Sequence, residues 1–167
     1  MKNLKTIILV LFISSLSFAC KKDSMPKPTQ TGANTINAKV NGTPWQHKFC
    51  WSCKRIDAVY EDGTLQFFVT GRNWDQNIVI SVNIKELKSL GTYQLSNQGL
   101  NYGYISTENS RFYTSNNSLG VVTITKIDLA NKIISGTFEF SAEDEYNPAN
   151  TIKVTDGWFD IVYETYI

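Results

Sequence analysis

The chain has 167 residues, 42% hydrophobic, 13% aromatic and 19% charged, with 16 basic and 15 acidic side chains and a single His. That is room for one domain and a tail, and the apolar and aromatic content excludes general disorder. A formal charge of +1 argues against nucleic acid as a partner. One His and no dense carboxylate cluster leave little from which to build acid–base or metal chemistry. No catalytic residue, metal site or cofactor is therefore expected.

At the N-terminus, Lys2 and Lys5 lead into Thr6 to Ala19, fourteen residues without a charge. A spanning helix needs about 20 apolar residues, so the stretch is too short to cross a bilayer and reads as the core of a secretory signal. Small residues follow, and Ala19 stands directly before Cys20. Leu16-Ser17-Phe18-Ala19-Cys20 resembles a bacterial lipobox, with its Leu one position earlier than in the commonest form. Cys20-Lys21-Lys22-Asp23 looks like the start of many mature lipoproteins of Bacteroidota. The resemblance implies a signal peptide over residues 1–19, lipidation of Cys20, and a membrane partner reached through the lipid. It implies an outer-membrane location in the cell envelope, facing the periplasm or the outside. Loss of Lys2 and Lys5 leaves 14 basic and 15 acidic residues, so charge does not hold the chain to an anionic surface. Acyl chains do, at about 0.8 kcal/mol per buried methylene.

Residues 20–34 contain Pro26, Pro28, Gly32 and several Ser, Thr and Lys. That composition buries no core and is expected to form a lipidated flexible tether, with the domain over residues 35–167. Within the domain, apolar residues alternate with period two. Ile78, Ile80, Val82 and Ile84 share one face of a strand, and Leu65 to Thr70 form another behind the turn signal Glu61-Asp62-Gly63. Asn41-Gly42 marks a hairpin after Ile36 to Val40, and Asp128 to Asn131 marks one between Val121–Ile127 and Lys132–Phe140. Asp156-Gly157 reads as the turn into a closing strand, Trp158 to Tyr163. Only Ile84 to Leu90 has room for a helical turn. About nine or ten strands are expected, in a single all-β antiparallel sandwich or flattened barrel with hairpin connections. A lipocalin-like up-and-down barrel is the alternative.

Three segments taken together resemble one family. They are Ile36-Asn37-Ala38-Lys39-Val40-Asn41-Gly42-Thr43-Pro44-Trp45, Thr123 to Asp128, and Ile134-Ser135-Gly136-Thr137-Phe138-Glu139-Phe140 followed by Val154 to Asp160. Their order behind the lipobox is similar to that of small Bacteroidota lipoproteins whose domain has no assigned function. The resemblance implies an all-β, lipid-anchored envelope protein and brings no catalytic residues.

His47, Cys50 and Cys53 form His-x-x-Cys-x-x-Cys around Trp51. In an exported protein the two thiols are disulfide candidates, given a turn or bulge between them. A metal site lacks a fourth ligand nearby, and a redox centre lacks the helix N-terminus that lowers a thiol pKa. Glu143-Asp144-Glu145 with Asn147 and Asn150 reads as a solvated hairpin connection rather than a calcium loop. The aromatic residues Trp45, Trp51, Trp74, Tyr102, Tyr104 and Tyr113 stand near predicted turns or on mixed polar stretches. They are ligand-binding candidates if exposed and core or end caps if not. Residues 97–117, rich in Asn, Ser, Tyr and Gly, have the composition of adaptable binding loops. The expected function is non-enzymatic binding of a glycan, a small ligand or an envelope protein. A redox or metal role for His47, Cys50 and Cys53, and a purely structural role, are the alternatives.

Overall fold

The computed structural model describes residues 27–47, 56–73, 76–96 and 101–165. The signal segment, Cys20, Cys50, Trp51, Cys53 and Trp74 lie outside them. Among the described residues eleven strands form: β1 (Thr35–Val40), β2 (Thr43–His47), β3 (Ile56–Glu61), β4 (Thr64–Asn73), β5 (Gln76–Ile84), β6 (Gly91–Leu95), β7 (Tyr102–Ser106), β8 (Arg111–Tyr113), β9 (Gly120–Asp128), β10 (Ile133–Asp144) and β11 (Thr151–Val162). The strands pair antiparallel, in the order β11-β1-β2-β4-β5-β7-β8-β10, and β10 also pairs β11. The path thus returns on itself as a flattened barrel. Its last join is short, through Glu143 opposite Tyr113 and Asp144 opposite Phe112. β9 and β6 continue from β10 as a branch, and β3 lies beside β4. Pairings such as β2 with β4 and β6 with β9 are not sequential, so the up-and-down alternative does not describe this topology.

The hairpins follow from turn chemistry. Asn41 (φ 49°) and Gly42 (φ 79°) join β1 to β2, and Asp62 (φ 47°) and Gly63 (φ 75°) join β3 to β4. Two successive left-handed residues match the twist of the flanking strands, and Asn, Asp and Gly tolerate that conformation best. After β5 the chain makes no helical turn. Residues 85–90 are irregular, and Leu87 is buried, its N–H donating to the Gly63 carbonyl.

Asp156-Gly157 does not turn the chain. β11 runs on through both residues, and its register against β10 shifts there, Phe138 facing Gly157 and Phe140 facing Val154. Asp156 at φ 51° is the extra residue of a bulge. A Cβ on Gly157 would meet the Phe138 carbonyl and ring, so close approach of β10 requires the glycine.

The core fills the space inside the ring. Phe67, Phe138 and Phe159 pack at centroid separations of 4.9 to 6.3 Å, with Ile36, Leu65, Ile80, Ile134 and Ile161 around them. Alternation places Ile78, Ile80, Val82 and Ile84 of β5 inward. It therefore sends Val79, Ser81 and Asn83 to the outer face.

Candidate functional site

That outer face carries an aromatic cluster. On β7, Gly103 and Ile105 are buried inward, so Tyr102, Tyr104 and Ser106 face out; on β8, Phe112 points in and Arg111 and Tyr113 point out. Gly103 is small because the Phe140 ring occupies the space beneath it. Pairing sets one row across the sheet: Asp57, Phe68, Ser81, Tyr104 and Tyr113 stand opposite one another on β3, β4, β5, β7 and β8. A second row, one pleat along, is Val59, Gln66, Asn83 and Tyr102. The Tyr104 and Tyr113 rings lie 4.8 Å apart at 39°. Phe68 is 42% exposed, unusual for a phenylalanine in the middle of a paired strand. Burial, and next the neighbouring Tyr104, pushes the Tyr113 hydroxyl above the ordinary tyrosine range, so it stays neutral.

Short polar residues lie between the rings. Ser81 is 1% exposed and Asn83 7%, with long side chains on both neighbouring strands. Ser81 Oγ and Asn83 Oδ1 are buried and have no hydrogen-bond partner among the described residues. Thr35 Oγ1, at the start of β1, is in the same condition. An unmet buried polar group costs about 1–3 kcal/mol, so two of them together beneath one surface mark a place where the fold leaves hydrogen-bonding capacity unused. A shallow groove lies beside this cluster over β3 and β4, lined by Phe68 together with Asp57, Glu61, Asp62 and Gln66.

Of the aromatic candidates, Tyr102, Tyr104 and Tyr113 come together here. Trp45 does not. It is fully buried, its Nε1 donating to the Ile78 carbonyl at 3.3 Å, so it is a core residue and no platform for a ligand. Phe68 belongs to the face although its sequence context, Phe67-Phe68, draws attention to the core instead. The 97–117 stretch is not one loop, since it contains β7 and β8. His47 ends β2 opposite Gly71; its side chain, like Cys50, Trp51, Cys53 and Trp74, lies outside the described residues. Asp144 closes the β10–β11 turn, accepting N–H bonds from Tyr146 (2.9 Å) and Asn147 (3.2 Å). Those bonds, the Tyr146 one foremost, hold its carboxyl below the usual range. Among the described residues, no three His, Cys, Asp or Glu side chains gather as a metal-binding group.

On the opposite side of the ring lies a second polar centre. Asp160, on the outward side of β11, is fully buried because residues 29–33 cross over it. Its Oδ2 accepts from Thr29 Oγ1 (2.6 Å), Thr31 N (2.9 Å) and Ala33 N (3.1 Å), and its Oδ1 from Gly32 N (2.9 Å) and Ser135 Oγ (2.8 Å). Gly32 at φ 77° lets successive N–H groups converge on one carboxylate, a nest. Burial alone would raise the pKa; the donors, led by Thr29 and then the Ala33 and Gly32 amides, outweigh it and hold the carboxyl far below the usual range. Lys126 Nζ adds a bond to the Gln30 carbonyl (2.9 Å), and Asn34 Oδ1 accepts from Val162 N (2.8 Å). Residues 29–34, which composition assigns to the tether, thus form a strap fastened to the body.

The fold and its faces define an all-β, flattened-barrel domain with an aromatic surface on one side and a strapped N-terminal segment on the other. The chain belongs to the family described as Domain of unknown function (DUF6252), which matches residues 33–162, from within the strap to the end of β11. No curated protein and no solved structure matches the chain.

Proposed function

We propose that this protein is a lipid-anchored envelope lipoprotein of the Bacteroidota type, held through Cys20, which acts by binding rather than by catalysis. Its working surface is the outer face of β4, β5, β7 and β8. The observation that carries this reading is the gathering of Phe68, Tyr102, Tyr104 and Tyr113 on one outer face over the unpartnered atoms of Ser81 and Asn83. Aromatic rings left half-exposed at the centre of a sheet contribute less to the core than buried ones, and they offer a partner large, rigid contact area. The lipobox-like segment ending in Ala19-Cys20 supports the anchor.

Metabolic labelling with an alkynyl fatty acid tests the anchor. The wild-type chain should take up label and sediment with membranes, whereas Cys20→Ala should do neither. An unlabelled wild-type chain, or one still carrying residues 1–19, contradicts it.

A further inference from the structure

We propose that the strip along β5, between Gln66 and Phe68 on β4 and Tyr102 and Tyr104 on β7, is a site for a neutral carbohydrate chain, a furrow whose floor of Ser81 and Asn83 is covered in the ligand-free protein and is uncovered on binding. This rests on the reading of the face as a binding surface and names the chemistry of its ligand.

Three features select that chemistry. One side carries Phe68 and the other Tyr102 and Tyr104, on strands whose backbones lie two strand spacings apart, about 10 Å, with a small residue, Ser81, between Phe68 and Tyr104. A sugar ring offers such aromatic rings its C–H face while turning hydroxyls to the floor and rim. The floor, in turn, holds a hydroxyl and an amide oxygen with no partner among the described residues, at 1% and 7% residue exposure. Rotation of the flanking rings would open both to a ligand hydroxyl, which can donate to Asn83 Oδ1 and either donate to or accept from Ser81 Oγ. An apolar ligand would leave both atoms unmet, at the same cost as in the free protein. Finally, the furrow residues themselves are uncharged. Charged positions in register sit at its margins: Asp57 beside Phe68, Arg72 opposite Asn77, Arg111 beside Ser106 and Glu143 opposite Tyr113. The acidic groove over β3 would repel an anion entering from that side. From Val79 to Asn83 the furrow is about 13 Å long, enough for a short stretch of an extended chain.

The test is affinity electrophoresis of the full lipidated chain in detergent, in gels containing dextran, mannan, galactomannan or xyloglucan, with polygalacturonate as an anionic control. At least one neutral polysaccharide should retard the wild-type protein, and polygalacturonate should not. Tyr104→Ala and Phe68→Ala should each weaken retardation about tenfold. Ser81→Ala discriminates further. It deletes an unpartnered hydroxyl, so thermal stability should be unchanged or higher while binding weakens; a merely structural serine would show no binding loss. Thr137→Ala, on β10, should bind as wild type. Absence of retardation in every neutral gel, or retardation indifferent to Tyr104→Ala and Ser81→Ala, overturns the carbohydrate assignment. If the gels fail while a photo-crosslinker at position 68 joins one defined envelope protein in cells, the face is a binding surface for protein and only the carbohydrate assignment falls. If both fail, the face is not a binding surface.

Discussion

Asp160 shows what a single buried carboxylate can organise. Five donors converge on it, three of them backbone amides of a segment with no regular structure of its own. Asp160→Asn would turn an amide N–H₂ toward donors and should cost about 3 kcal/mol, read as a lowered unfolding midpoint. It should also speed hydrogen exchange at Thr31, Gly32 and Ala33, which a purely local packing defect in β11 would leave slow. The pH dependence has a definite sign. The folded carboxyl has a depressed pKa, so the unfolded chain binds more protons between the two values and stability rises with pH there. The contribution is whole above the unfolded value, about 4, and is lost as the pH falls below that toward the folded value. The stability gap between wild type and Asp160→Asn should therefore be widest near neutrality and narrow in acid. A gap independent of pH would contradict the assignment.

At the scale of elements, β10 is the pivot, pairing β11 along one edge and β9 then β8 along the other. Gly136 lies where the strands crowd together, since a Cβ there would meet the Thr123 carbonyl and the Phe159 ring. Gly136→Ala should destabilise by about 1–3 kcal/mol through overpacking, measurable by chemical denaturation. Gly42→Ala tests the other use of glycine: its site is open but left-handed, so any cost would be conformational and should be smaller, about 1 kcal/mol.

Much of this was legible in the sequence. The alternation in β5 and the pairs Asn41-Gly42 and Asp62-Gly63 announce strands and hairpins because each encodes local geometry. Asp156-Gly157 misleads for the same reason: a left-handed residue before glycine serves a turn or a bulge equally, and only pairing with Phe138 decides between them. β7 and β8 are hard to read because Gly103 weakens the inward pattern, and the need for glycine there comes from Phe140, distant in sequence. Phe68 is hidden by its neighbour Phe67, since composition does not say which of two adjacent rings points outward. The strap escapes because three of its four bonds to Asp160 come from backbone N–H groups, which composition does not reveal, and its Gly32 and Thr29 read equally well as tether residues.

In the whole molecule, the two faces stand as far apart as the ring permits. β5 is the fourth strand from β11 by either route, so the aromatic face lies opposite the strap. The strap also shortens the leash. From Cys20 to Thr29 the backbone spans at most about 30 Å, against about 50 Å if the chain were free to Thr35. An anchored protein would therefore be held close to the membrane by its strapped side, with Phe68 and the three tyrosines on the side remote from the attachment.

Hydroxyl-radical footprinting tests that arrangement and the proposed function most directly. The lipidated protein would be oxidised once in intact cells and once purified in detergent, with Tyr146, 87% exposed in the β10–β11 turn, as the internal reference. Phe68, Tyr102, Tyr104 and Tyr113 should be oxidised more slowly in cells than in detergent, relative to Tyr146. Equal relative oxidation of those four rings in both settings would contradict the proposed function.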